Sequence, residues 1–114
     1  MKIVFLFGIL MNSLVFASVH DVDVEISMWA VQKEVEIFKG FKTNVWSYEA
    51  SLIKGPAGSL VASTTYLGPT LHLRTGQKVS IHFNNQLPET SIIHWHGLDI
   101  PSLMDGHPRD AVGT

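Results

Sequence analysis

Leu71-His72-Leu73-Arg74-Thr75-Gly76-Gln77-Lys78-Val79-Ser80-Ile81-His82-Phe83-Asn84 is the stretch that decides the fold. Val79, Ile81 and Phe83 alternate with Ser80, His82 and Asn84. A period of two puts the apolar side chains on one face and the polar ones on the other, as in a half-buried strand. Leu71 and Leu73 lead into Arg74-Thr75-Gly76-Gln77, so the stretch reads as a β-hairpin with Gly76 at the tight position of the turn. Pro88 closes the second arm, because proline has no N–H to give to a ladder. Ser91 to His96 is expected to begin another strand.

The same alternation recurs upstream. Val22, Val24 and Ile26 alternate with Asp21, Asp23 and Glu25, and Val35 and Ile37 with Glu34 and Glu36. Lys54-Gly55-Pro56-Ala57-Gly58-Ser59 is a loop by its glycine and proline content. Trp29, Trp46 and Phe83 are the expected core aromatics. Short strands at close spacing, with no helical period between them, predict an all-β chain folded as an antiparallel sandwich.

The N-terminus reads differently. Lys2, an apolar run from Ile3 to Met11, and small residues ending in Val15-Phe16-Ala17 have the layout of a secretory signal peptide over residues 1–17. Asn12 and Ser13 interrupt the run, which falls short of the about 20 apolar residues that a membrane span needs. The chain is therefore expected to be exported, to the periplasm or the extracellular space, with no stable membrane span. Residues 18–114 then form one small domain. A formal net charge of −2 on 114 residues provides no basic footprint for nucleic acid. With no cysteine, the chain cannot form disulfides in any compartment.

Chemistry concentrates in His94-Trp95-His96-Gly97. On an extended backbone, imidazoles at i and i+2 share a face with Cα atoms about 6–7 Å apart, close enough to serve one metal cluster. Trp95 faces the other way and is free to pack, and Gly97 admits close approach of a backbone or ligand. Imidazole suits divalent transition metals. Each ring is expected to donate its second N–H to a carbonyl or carboxylate that fixes the tautomer.

Tyr66-Leu67-Gly68-Pro69-Thr70, Arg74-Thr75-Gly76-Gln77, Asn84-Asn85-Gln86-Leu87-Pro88-Glu89, His94-Trp95-His96-Gly97 and Met104-Asp105-Gly106 follow one another in order. Together they resemble the first copper-binding region of the multicopper oxidases, the family of laccases, bilirubin oxidases and copper efflux oxidases. The resemblance implies a cupredoxin-like Greek-key β-sandwich, with residues 18–114 as a partial N-terminal (plastocyanin-like) domain, incomplete at its C-terminal end. It implies that His94 binds the type 2 copper and His96 one of the type 3 coppers of a trinuclear cluster. The whole enzyme would couple one-electron oxidation of a reducing substrate to four-electron reduction of dioxygen to water. Its remaining cupredoxin domains would supply the other ligands. A type 1 copper needs a cysteine thiolate, which this chain lacks. The 114 residues alone, an expected fragment, should then be inactive, marginally stable and prone to aggregate.

Two other readings compete. One is a non-catalytic copper-binding module, in which His72, His82, His107 or a partner chain completes the site. The other is a zinc hydrolase or lyase with a third histidine and an open position for water; the Leu-Pro-Glu and Met-Asp-Gly elements have no place in that reading. Outside the motif, His72 and His82 are expected to face solvent, and His107 to be structural within its turn. Met104 is expected to pack. Asp99 and Asp105 are candidates for steering protons or cations, with a turn-capping role favoured for Asp105.

Overall fold

A computed structural model describes residues 21–110 of the chain. The expected leader, residues 1–17, lies outside the described residues. The chain is all-β, as its alternating patterns predict, with two sheets consistent with a cupredoxin-like sandwich. One sheet orders three strands as β2-β1-β5: β1 (Val24–Phe38), β2 (Phe41–Lys54) and β5 (Val79–Asn85). The second pairs β3 (Leu60–Val61) with β4 (Thr70–Leu71), antiparallel. Single 3-10 turns occupy Ala57–Ser59, Ser102–Met104 and Pro108–Asp110.

The two upstream alternating patterns are the ends of one long strand. β1 buries Val24, Ile26, Met28 and Ala30 while Glu25, Ser27 and Trp29 lie on the opposite face. It pairs antiparallel with β2 along its whole length, but β5 covers only Val24 to Ala30. Beyond Ala30 the β1–β2 hairpin has no third strand among the described residues, and its apolar residues emerge. Ile37, Phe38 and Phe41 are exposed there, and so is Trp46, opposite Gln32. The expectation that Trp46 joins the core is therefore corrected: among the described residues nothing is paired beyond β1 at its level to cover it. Trp29 and Phe83 are half-buried.

The predicted hairpin is also corrected. Its turn exists: Gln77 N–H donates to Arg74 O at 3.1 Å, and Gly76 has φ +91°. Its arms diverge into different sheets, however, because β4 pairs with β3 while β5 runs parallel to β1. The register explains the choice. Val24 faces Val79, Ile26 faces Ile81 and Met28 faces Phe83, three apolar pairs in succession. A buried aliphatic side chain is worth about 1.5–3 kcal/mol, and Leu71 and Leu73 offer fewer partners. The sandwich is thus not purely antiparallel. Parallel neighbours require a long crossover, and here the chain makes it through the second sheet.

Leu87 completes the buried apolar set, and Asn85 beside it organises the chain after β5. Asn85 Oδ1 accepts the Leu87 N–H at 3.1 Å and its Nδ2 donates to Glu89 O at 2.7 Å. This closed polar turn delivers the chain to Ser91, at the threshold of the histidine motif. Among the described residues no helix is long and apolar enough to cross a membrane.

Candidate metal centre

The histidine motif lies on irregular backbone. Ser91 makes an isolated bridge, and residues 92–95 belong to no strand. The expected strand from Ser91 to His96 is therefore corrected. Leu98 N–H donates to Trp95 O at 3.1 Å, closing a turn over Trp95-His96-Gly97-Leu98. Gly97 has φ +82°, a conformation that L residues rarely adopt. A Cβ there would meet nothing within 4 Å, so among the described residues Gly97 serves the turn and not a close approach.

The two imidazoles still come together. Their ring centroids are 5.8 Å apart, with planes at 80°. Both residues are exposed. Trp95 is half-buried on a different side, as expected: with Ile81, Phe83, Leu98 and Ile100 it lines an open apolar hollow of about 890 Å³. Neither His94 nor His96 lines that hollow. That hollow is therefore not where the donors are, and the candidate metal site is set by the donors.

The orienting partner that sequence left unnamed is Asp105. Its backbone carbonyl lies 2.8 Å from His94 Nδ1. A carbonyl can only accept, so Nδ1 carries the proton and Nε2 is the nitrogen left for a metal. The Asp105 carboxylate is also close, with Oδ1 3.3 Å from Nδ1. That oxygen is buried with no hydrogen-bond partner among the described residues, so the carbonyl holds the ring. Asp105 caps the Ser102–Met104 turn, its N–H donating to Ser102 O at 3.3 Å.

Gly106 makes the arrangement possible. With φ +70°, it lies where a Cβ would overlap the Ile93 carbonyl oxygen, stand 2.6 Å from the Ile93 carbonyl carbon and 3.0 Å from His94 Cα. Only glycine lets the Asp105 carbonyl approach the motif so closely. On the other flank, Tyr48 on β2 donates its hydroxyl to Ile92 O at 2.9 Å. The Asp-Gly dipeptide signals a turn in sequence, but its contact with Ile93 cannot be read there. Tyr48, 44 positions from Ile92, carries no local signal.

The other candidates stand apart. His82 is exposed and its Nε2 is 2.7 Å from Glu25 Oε1. His72 is exposed, its backbone N–H donating to Ser59 O at 2.9 Å. His107 Nδ1 accepts the Arg109 N–H at 3.2 Å, a local contact within its turn. Asp99 is exposed. Met104 is 68% exposed, against the expectation that it packs; its N–H closes the turn onto Pro101 O at 2.8 Å, leaving the side chain outside. Among the described residues no group of three or more His, Cys, Asp or Glu could hold a metal ion.

The family model described as multicopper oxidase matches residues 44–111. A multicopper oxidase of Staphylococcus aureus is 35% identical over 83 residues, covering 73% of this chain and 15% of the relative. A copper resistance protein A homolog of Pseudomonas syringae pv. tomato is 49% identical over 41 residues, 36% of this chain and 7% of the relative. Laccase-1 of Cryptococcus neoformans var. grubii is 29% identical over 92 residues, 75% of this chain and 15% of the relative. The chain thus spans about 15% of the length of the curated relatives that it matches over most of its own length. No solved structure matches it.

Proposed function

This chain belongs to the multicopper oxidase family, and we propose that it is the copper-binding N-terminal part of such an oxidase. In this reading residues 18–114 form the first part of its N-terminal cupredoxin domain, exported by the leader at residues 1–17 to the periplasm or the extracellular space. The observation that carries the reading is the paired imidazoles, with rings 5.8 Å apart and His94 Nδ1 engaged by the Asp105 carbonyl.

The donors fit copper in kind and fall short in number. Two imidazoles with one Nε2 already freed suit a borderline divalent metal, but a closed site needs more ligands than the described residues bring together. His94 would hold the type 2 copper and His96 a type 3 copper, with further ligands from the rest of the protein. Copper, when bound, supplies the one-electron redox chemistry through which a reducing substrate is oxidised and dioxygen is reduced to water. The residues of this chain bind and orient. His94 enters with its tautomer set, while His96 lies within the Trp95–Leu98 turn with its ring edge-on to that of His94. No cysteine is present to form a type 1 centre, so electrons from a reducing substrate must arrive through another part of the protein.

The incomplete donor set also favours a second reading, in which the chain works as a non-catalytic copper-binding module. One assay puts both readings at risk: oxidation of a phenolic dye by the purified 114-residue chain with added copper. The fragment reading expects none. Turnover that depends on His94 and His96 would show that the chain is an oxidase by itself, and would overturn it.

A further inference from the structure

His94 is held without the usual means. Past the bridge at Ser91, the segment carrying it has no ladder among the described residues. Fixing a residue's backbone costs conformational entropy, so specific contacts must hold this stretch in one conformation. Two such contacts bracket the histidine. Before it, Tyr48 donates its hydroxyl to Ile92 O at 2.9 Å, with Ser91 Oγ at 3.5 Å, while its ring lies 6.1 Å from that of Phe83. The hydroxyl is thus mounted on the sheet. At the histidine itself, Gly106 lies against Ile93 and the His94 Cα, and the Asp105 carbonyl reaches Nδ1 as a result.

We propose that Tyr48 and Gly106 are positioning residues of the metal centre, a two-point clamp on Ile92 and Ile93 that keeps His94 in its Nδ1–H tautomer and its Nε2 free for copper. Neither residue offers a ligand. Tyr48 fixes the height of the segment against β2, and Gly106 fixes the distance between Ile93 and the Asp105 carbonyl. Loss of either contact lets the segment shift, and the 2.8 Å bond to the ring is then no longer enforced. A free imidazole prefers the proton on Nε2, the nitrogen copper needs, so the clamp removes a competitor for the metal. The inference rests on the reading of His94 as a copper ligand, and its test separates the two.

The test compares the full chain with Tyr48→Phe and Gly106→Ala. Long-range proton–nitrogen spectra of the metal-free proteins report the tautomer of each histidine, and titration with Cu(II) alone follows on the same samples. The wild type should show His94 as Nδ1–H. Both variants should shift it toward Nε2–H with the His72 and His82 signals unmoved. Removal of groups that orient a ligand typically weakens metal binding about 10–100-fold; Gly106→Ala should lie at the upper end and Tyr48→Phe at the lower. If Gly106→Ala fails to fold, Tyr48→Phe carries the test, because it keeps the ring and removes one hydroxyl. A wild-type His94 that is not Nδ1–H, or a Tyr48→Phe protein with unchanged tautomer and affinity, overturns the clamp. A tautomer shift in chains that bind no Cu(II) even as wild type would uphold the clamp and sink the copper reading.

Discussion

Replacing Ile26 by alanine tests whether the β2-β1-β5 sheet has the core described for it. Ile26 is fully buried on the central strand, with Leu52 of β2 on one side and Ile81 of β5 on the other. Truncating a buried isoleucine to alanine costs about 2–5 kcal/mol, set by how far the cavity collapses. Both neighbours are held in ladder register, so collapse is limited, and a loss of about 3–4 kcal/mol is expected. Only Val24, Ile26, Met28, Ala30 and Leu87 make up the buried apolar core among the described residues. A loss of that size is comparable to the stability that a small domain has in total, about 5 kcal/mol at the low end. The control is Ile53→Ala, on the same hairpin but 54% exposed, which should cost at most about 0.5 kcal/mol. Urea unfolding followed by far-UV circular dichroism measures both. With a slope of about 1–2 kcal/mol per molar urea, Ile26→Ala should lower the midpoint by at least about 1.5 M or leave the chain unfolded without denaturant, and Ile53→Ala should barely move it. Equal effects at the two positions would refute the assignment of the core to the Val24–Ala30 stripe.

Gly55→Ala should destabilise by about 1–3 kcal/mol in the same assay, because Gly55 has φ +126° and a Cβ would stand 3.1 Å from Asp23 O and 3.3 Å from Val24 Cγ2; a neutral result would mean that the end of β2 is not seated against β1 as described. The paired substitution Phe38→Ser and Phe41→Ser removes two aromatics that are 73% and 71% exposed at the hairpin end. Sedimentation velocity should show less self-association with the stability unchanged, and a large loss of stability would place the hairpin end in the core. His82→Ala breaks an exposed pair with Glu25, should cost under about 1 kcal/mol, and should leave Cu(II) binding unchanged; a copper loss would bring His82 into the site.

The sequence announces strands more clearly than it announces their partners. Val24, Ile26, Val79, Ile81 and Phe83 are legible as the inward face because burial enforces a period of two along each strand. That Val79–Asn85 would run parallel to β1 instead of folding back on Leu71-His72-Leu73 was not legible, since the decision depends on contacts far apart in sequence. Trp46 misleads for the same reason: a tryptophan looks like core until the reach of β5 along β1 is known. At the candidate metal site, the His94–His96 spacing points to shared donors and the rings do meet, though beside a turn at Gly97 and not on an extended strand. Asp105 reads as a turn residue and is one, yet its carbonyl is the group that His94 uses. Backbone groups leave no trace in residue identity, so that part of the site is visible only in three dimensions.

The most direct test of the central claim is a Cu(II) titration of the full chain beside its His94→Ala, His96→Ala and doubly substituted forms, followed by electron paramagnetic resonance and calorimetry. The account predicts copper bound through imidazole nitrogen in the wild type, weakened by either single substitution and abolished by the pair. Copper bound equally well by the doubly substituted chain would contradict it.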